Sequence, residues 1–232
     1  MFRWIRIGLA VLLLSATAAY AALPGPHRAL TPLLFGLHKI APNTYSDAPD
    51  KAPIHLALMS AARLQAAEFF GPLTTNPRHI FCTTTACAER FGLRTRGLNY
   101  GSRFNFISPR GLNVSIITHE LVHSELHRTM GLRDIYNPKF PQWFDEGLAS
   151  YISQDTRLSF VAKPNHIKNA RNLKEWRKLN SAETWQQNYS AAWTLVKAVA
   201  DTDGIGVLQD LVRRVENGED FDVLWRALET QP

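Results

Sequence analysis

The chain has 232 residues, 45% hydrophobic and 20% charged, which are proportions of a packed domain and exclude long disorder. Its length suffices for one domain with a sizeable core. The formal net charge of +6 is modest and scattered, with no basic run or aromatic-basic stripe, so no nucleic-acid partner is expected.

Arg3 and Arg6 open the chain, and an uncharged stretch rich in Leu, Ala and Val fills residues 7–22. Ala19-Tyr20-Ala21 has the small-x-small pattern of a cleavage site. Residues 1–21 therefore read as a secretory signal, or as an uncleaved anchor that tethers the protein to a membrane. Both readings place the rest of the chain outside the cytoplasm, in the periplasm, secreted, or facing outward from a membrane. Residues 22–52 are rich in Pro and read as a linker or loosely packed arm, with apolar residues 33–40 docking on the body. Residues 53–232 then form one domain.

Residues 54–70 have the composition of a helix, stopped by Gly71-Pro72. Residues 79–83 read as a strand and 86–91 as a helical turn. Cys82 and Cys87 are the only cysteines, and an even count in an exported chain suggests a disulfide; two free thiols are the alternative. Residues 94–101 read as a Gly-containing loop and 103–108 as a strand with Phe104 and Phe106 on one face. Pro109-Arg110-Gly111 turns into a long helix over 113–130, with Gly131 as its stop. Helices are predicted over 142–153, 173–179, 190–201, 205–216 and 221–228. The fold class is α+β, mostly helical, with a small sheet ahead of the central helix and a helical C-terminal part.

The central helix carries His119-Glu120-Leu121-Val122-His123. Residues four apart share a helix face, so both imidazoles can bind one metal ion, while Glu120 can reach a water beside it without ligating. A catalytic zinc usually takes three protein ligands and keeps a fourth position open. A third histidine further along the helix is excluded, because Leu126 and Thr129 occupy the positions that pattern needs. Downstream, Trp143-Phe144-Asp145-Glu146-Gly147-Leu148-Ala149-Ser150-Tyr151 offers the Glu146 carboxylate on a second helix. Gly147 is expected to let that helix approach the first.

The pair of motifs, HELVH followed by WFDEGLASY, resembles the gluzincin-type zinc metallopeptidases, in particular the bacterial peptidase MA-like group. The resemblance covers residues 104–151 well and the C-terminal helices more loosely. It implies a zincin-like domain with one Zn2+ held by His119, His123 and Glu146, and Glu120 as general base for hydrolysis of a peptide or protein substrate. Tyr189, at the start of a later helix, is the implied oxyanion donor; packing at a helix N-terminus is the alternative. Several gluzincins carry an Asp four residues after the third ligand; Ser150 stands there, leaving the partner of His119 unassigned. Asp145 is expected to point elsewhere on its helix.

Other residues admit more than one reading. His127, with Glu125 close by, could join a second metal, or cap the helix or cover the cleft rim. His166 reads as an exposed loop residue or a second oxyanion candidate. Phe104 and Phe106 are placed on the edge strand, where substrate backbone could pair, or in the core. Trp176, Trp185, Trp193 and Trp225 read as interhelix residues, with a carbohydrate platform as the alternative. Two further functions stay open: a zinc hydrolase acting on cell-wall peptide, and a zinc-containing scaffold without turnover.

Overall fold

The computed structural model describes residues 6, 25–131, 134 and 137–230. Arg6 apart, the leader reading of residues 1–21 lies outside the described residues. No described helix is long and apolar enough to cross a membrane.

Among the described residues, five short strands form one mixed sheet in the order β1-β2-β3-β5-β4. β1 (His38–Ala41) and β2 (Thr44–Ser46) are an antiparallel pair; β3 (Arg78–Phe81) runs parallel to both β2 and β5 (Phe104–Ile107); β4 (Gly97–Tyr100) closes antiparallel on β5. Side chains alternate between the two faces of a strand, and each face of this sheet has its own cover. Phe81 and Ile107 face a layer built from Met59, Ala62 and Ala66 of α1 (Ala52–Phe70) and Ile116, Ile117 and Leu121 of α3 (Val114–Leu126). Ile80 and Phe106 face the opposite way, onto Ala29, Leu37 and Phe91, the last just beyond α2 (Thr85–Arg90).

α3 is buried on both flanks, which makes it the spine of the molecule. Its other side, Val122 and Leu126, joins a core made with α4 (Gln142–Ile152), α5 (Leu173–Leu179), α6 (Trp185–Asp203), α7 (Ile205–Glu216) and α8 (Phe221–Glu229). Trp143 packs there on Trp225, with ring centroids 5.0 Å apart. Trp176 and Trp225 are buried as interhelix residues, and Trp185 and Trp193 are half-buried beneath Arg157 and Lys197.

Several expectations change. The stretch read as a loose arm contributes β1 and β2 to the sheet. The loop expected over 94–101 contains β4: Gly97 and Asn99 are poor strand formers, and pairing with β5 overrides them. Phe104 and Phe106 therefore do not stand on an edge strand; β5 is interior, and β1 and β4 are the edges. α3 ends at Leu126, four residues before the expected end, with His127 as its C-cap. Gly147 serves a different contact from the one expected. A Cβ there would lie 2.6 Å from the Ala192 carbonyl oxygen, so the glycine lets α4 approach α6, not α3. Cys82 and Cys87 form a disulfide that joins the end of β3 to α2.

Candidate metal centre

The central helix starts where Asn113 caps it, its side-chain oxygen accepting from the Ile116 amide. From there the spacing sets His119 and His123 on one face, with Glu120 buried close beside them. The His119 and His123 rings stand 4.7 Å apart, nearly perpendicular. Glu146 arrives from α4, with Oε2 3.3 Å from His119 Nε2 and 3.6 Å from His123 Nε2. One donor atom from each of the three lies within 4.8 Å of the others, and all three side chains are buried. A tetrahedral ion with ligands near 2.0–2.2 Å has neighbouring ligand atoms about 3.3–3.6 Å apart, so the two Glu146 separations match its edges. The remaining oxygen of Glu146 accepts from Gln142 Nε2 at 3.2 Å. The residues present could hold a single metal ion through nitrogen and oxygen.

Asp145 does not point elsewhere on its helix. Its Oδ1 lies 2.8 Å from His123 Nδ1, and its Oδ2 lies 2.7 Å from His127 Nε2. A carboxylate on Nδ1 fixes the imidazole tautomer and turns Nε2 toward the Glu146 oxygen. His123, His127 and Asp145 form a second close group, yet their contacts have hydrogen-bond lengths and use the His123 nitrogen that faces away from Glu146. They are better described as an orienting chain than as a second metal site. Glu125 stands apart from both groups: the backbone amides and hydroxyls of Thr74 and Thr75 all donate to its carboxylate.

The electrostatics follow from burial. Glu120 is raised above the ordinary glutamate value, first by burial, with the two histidines opposing. Burial also acts to raise Glu146, but hydrogen bonds to His119 and His123 outweigh it and bring the group down to about 2. Asp145 is held far below the usual carboxylate range, because His127 and His123 overcome the cost of burial. For His123 burial works downward, and the Asp145 charge and hydrogen bond lift it well above 6.5. The pocket stabilises positive charge.

Tyr189 sits beside this cluster, its ring 6.5 Å from that of His119 and 5.1 Å from that of Trp176. Burial, with help from the Glu146 charge, raises its phenol well above 10, so it remains a proton donor. His166 is exposed, with Nε2 3.0 Å from Asn188 Oδ1. Two further residues carry weight. Asp155 is buried, accepts from Arg157 Nε at 2.8 Å and feels the His119 charge. Gly97 on β4 abuts Glu120: a Cβ there would lie 2.1 Å from Glu120 Oε1. Neither is announced by a local motif, since both meet the site only through tertiary packing.

Comparison with protein-family models, with curated proteins and with solved structures finds no match to this chain.

Proposed function

We propose that this protein is an exported zinc-dependent peptidase of the gluzincin type, with a zincin-like domain, His119, His123 and Glu146 as ligands and Glu120 as general base. The observation that carries the reading is a buried glutamate of raised proton affinity next to His119 in sequence, where the imidazoles of His119 and His123 converge with Glu146. A ligand set that served structure alone would need no such base. Zinc is favoured over other divalent ions by two imidazoles and one carboxylate.

A bound zinc ion supplies Lewis acidity toward a carbonyl oxygen and lowers the pKa of water from 15.7 to about 7. Glu120 takes the proton of the attacking water and delivers it to the leaving amine, a role suited to a carboxylate whose burial raises its pKa. Tyr189 keeps its phenolic proton and donates toward the developing oxyanion. Asp145 holds His123 in one tautomer, and Gln142 holds the outer oxygen of Glu146. The free edge of β4, packed beside α3, offers backbone groups to an extended peptide.

The test pairs metal analysis of purified protein with cleavage of a peptide library, in wild type and Glu120→Gln. The wild type should carry one zinc and cleave in a chelator-sensitive way; Glu120→Gln should keep the zinc and lose turnover. A wild type that binds zinc and cleaves neither library peptides nor cell-wall peptide would overturn the enzyme reading in favour of a scaffold.

A further inference from the structure

A second surface takes no part in the metal-site chemistry. Two short 3-10 turns, Pro26–Leu30 and Pro32–Phe35, begin the main described segment. Leu30, Leu33 and Leu34 are 59%, 62% and 76% exposed on them, while Ala29 and Leu37 are buried beneath. The turns are held on a firm base. Arg78 donates to the Ala29 and Leu30 carbonyl oxygens at 2.6 and 2.9 Å, and Arg90 donates to that of Phe35. Arg28 lies over the Phe35 ring at 4.6 Å and donates to the Arg90 carbonyl. The leucines are thus presented outward by a braced scaffold.

We infer that this face lies against an anionic lipid bilayer. Charge is the first argument. Residues 25–46 hold no Asp or Glu and carry Arg28 and Lys39. Arg78 and Arg90 spend their bonds here on carbonyl oxygens, and His38 and Lys39 of β1 are exposed. Each Arg or Lys near an anionic leaflet strengthens attachment about fivefold. Chain length is the second argument. The uncharged apolar stretch ends at Ala22, and the eight steps from there to Leu30 span at most about 28 Å. If that stretch enters a bilayer, the leucines lie within reach of the same surface. Exposed leucines beside a cationic rim are the pattern of an interfacial contact. A second copy of the chain could cover the leucines, but it gives no reason for the absence of acids across residues 25–46.

The full-length chain, with a polarity-sensitive fluorophore on Leu34→Cys, is reconstituted into vesicles of neutral lipid with or without anionic lipid. A second sample carries the probe on Asp201→Cys at the exposed end of α6. Nitroxide-labelled lipid should quench the probe at 34, more strongly in anionic vesicles, and leave the probe at 201 unquenched. Equal accessibility of the two probes to water, or equal quenching at 34 in both vesicle types, overturns the inference. So does a probe at 34 that is shielded from water yet untouched by lipid nitroxide, since protein would then cover the leucines.

Discussion

Replacing Gly97 by Ala should disable the proposed base without touching the proposed metal. The three atoms nearest the added Cβ all belong to Glu120: Oε1 at 2.1 Å, Cδ at 2.7 Å and Cγ at 2.8 Å. Ordinary contact begins near 3.4 Å, so the carboxylate must retreat by more than 1 Å. The atoms in the way are the far end of a side chain, and the backbone of β4 and α3 can stay where it is. Ala also suits a strand better than Gly, by about 0.5–1 kcal/mol, which helps the fold survive the crowding. A catalytic group displaced by about 1 Å costs roughly 10²-fold in rate, or about 2.7 kcal/mol of barrier. The assay is kcat on a quenched fluorogenic peptide, with zinc content and thermal midpoint measured on the same preparation. The expected result is a kcat down about a hundredfold at full zinc occupancy. Near-normal turnover would refute the placement of Glu120 as base, and loss of zinc would show that the strand and helix had moved as a whole.

Three other perturbations follow. Asp145→Asn weakens the fixing of His123 and should lower zinc affinity by about 10–100-fold, read by competition with a chromophoric chelator; unchanged affinity refutes the orienting role. Thr75→Val removes a hydroxyl that lies 2.5 Å from the buried Glu125 carboxylate. It should cost about 1.5–3 kcal/mol of stability, seen in the urea midpoint, and a shift near zero sinks the idea that this clamp braces α3. His79 is buried on β3 and is lowered from 6.5 to about 3, first by burial and then by Arg63. Between those values the unfolded chain takes up a proton that the folded chain refuses. Its contribution is therefore whole above pH 6.5 and drains away as pH falls toward 3, at up to about 1.4 kcal/mol per pH unit. His79→Leu should flatten the urea midpoint between pH 6.5 and 5 relative to wild type; parallel curves would contradict this.

How far the site was legible depended on where each residue sits relative to its neighbours in sequence. His119 and His123 are four apart on one helix, and that spacing alone brings them together. Glu146 was legible because a carboxylate on the next helix, after a loop of sufficient length, has few other ways to complete the set. The sequence points Asp145 away from the site, because adjacent helix residues point about 100° apart. The two nitrogens of one imidazole lie on opposite edges of the ring, so neighbouring residues can reach both, as Asp145 and Glu146 do for His123. β4 is not legible in sequence, because Gly-Leu-Asn-Tyr has little strand propensity of its own and is held by its ladder with β5. β1 and β2 are four and three residues long, too short for any periodicity to emerge from a Pro-rich stretch. The close approach of Gly97 to Glu120 has no signature in sequence at all.

The charge buried around α3 is poorly explained as a device for stability. Glu120, Asp145 and Glu146 lie together with His119 and His123 behind them, all at 9% exposure or less. Among the described residues, the ion pairs of Asp145 and Glu146 are with histidines and none is with Lys or Arg. Burying carboxylates costs several kcal/mol each unless their partners recover it, and apolar residues of similar volume often serve a core as well or better. Glu125, on the same helix, shows what a structural solution looks like here: four donors from Thr74 and Thr75 close around it, and those hydrogen bonds outweigh burial to lower its pKa. Asp145 and Glu146 are held instead mainly by imidazoles, with Gln142 on the outer oxygen of Glu146. Glu120 is left with raised proton affinity, while Glu146 and Asp145 draw positive charge toward His123. A cluster arranged in this way favours a cation at its centre and a proton on its flank, the two species that the proposed hydrolysis requires.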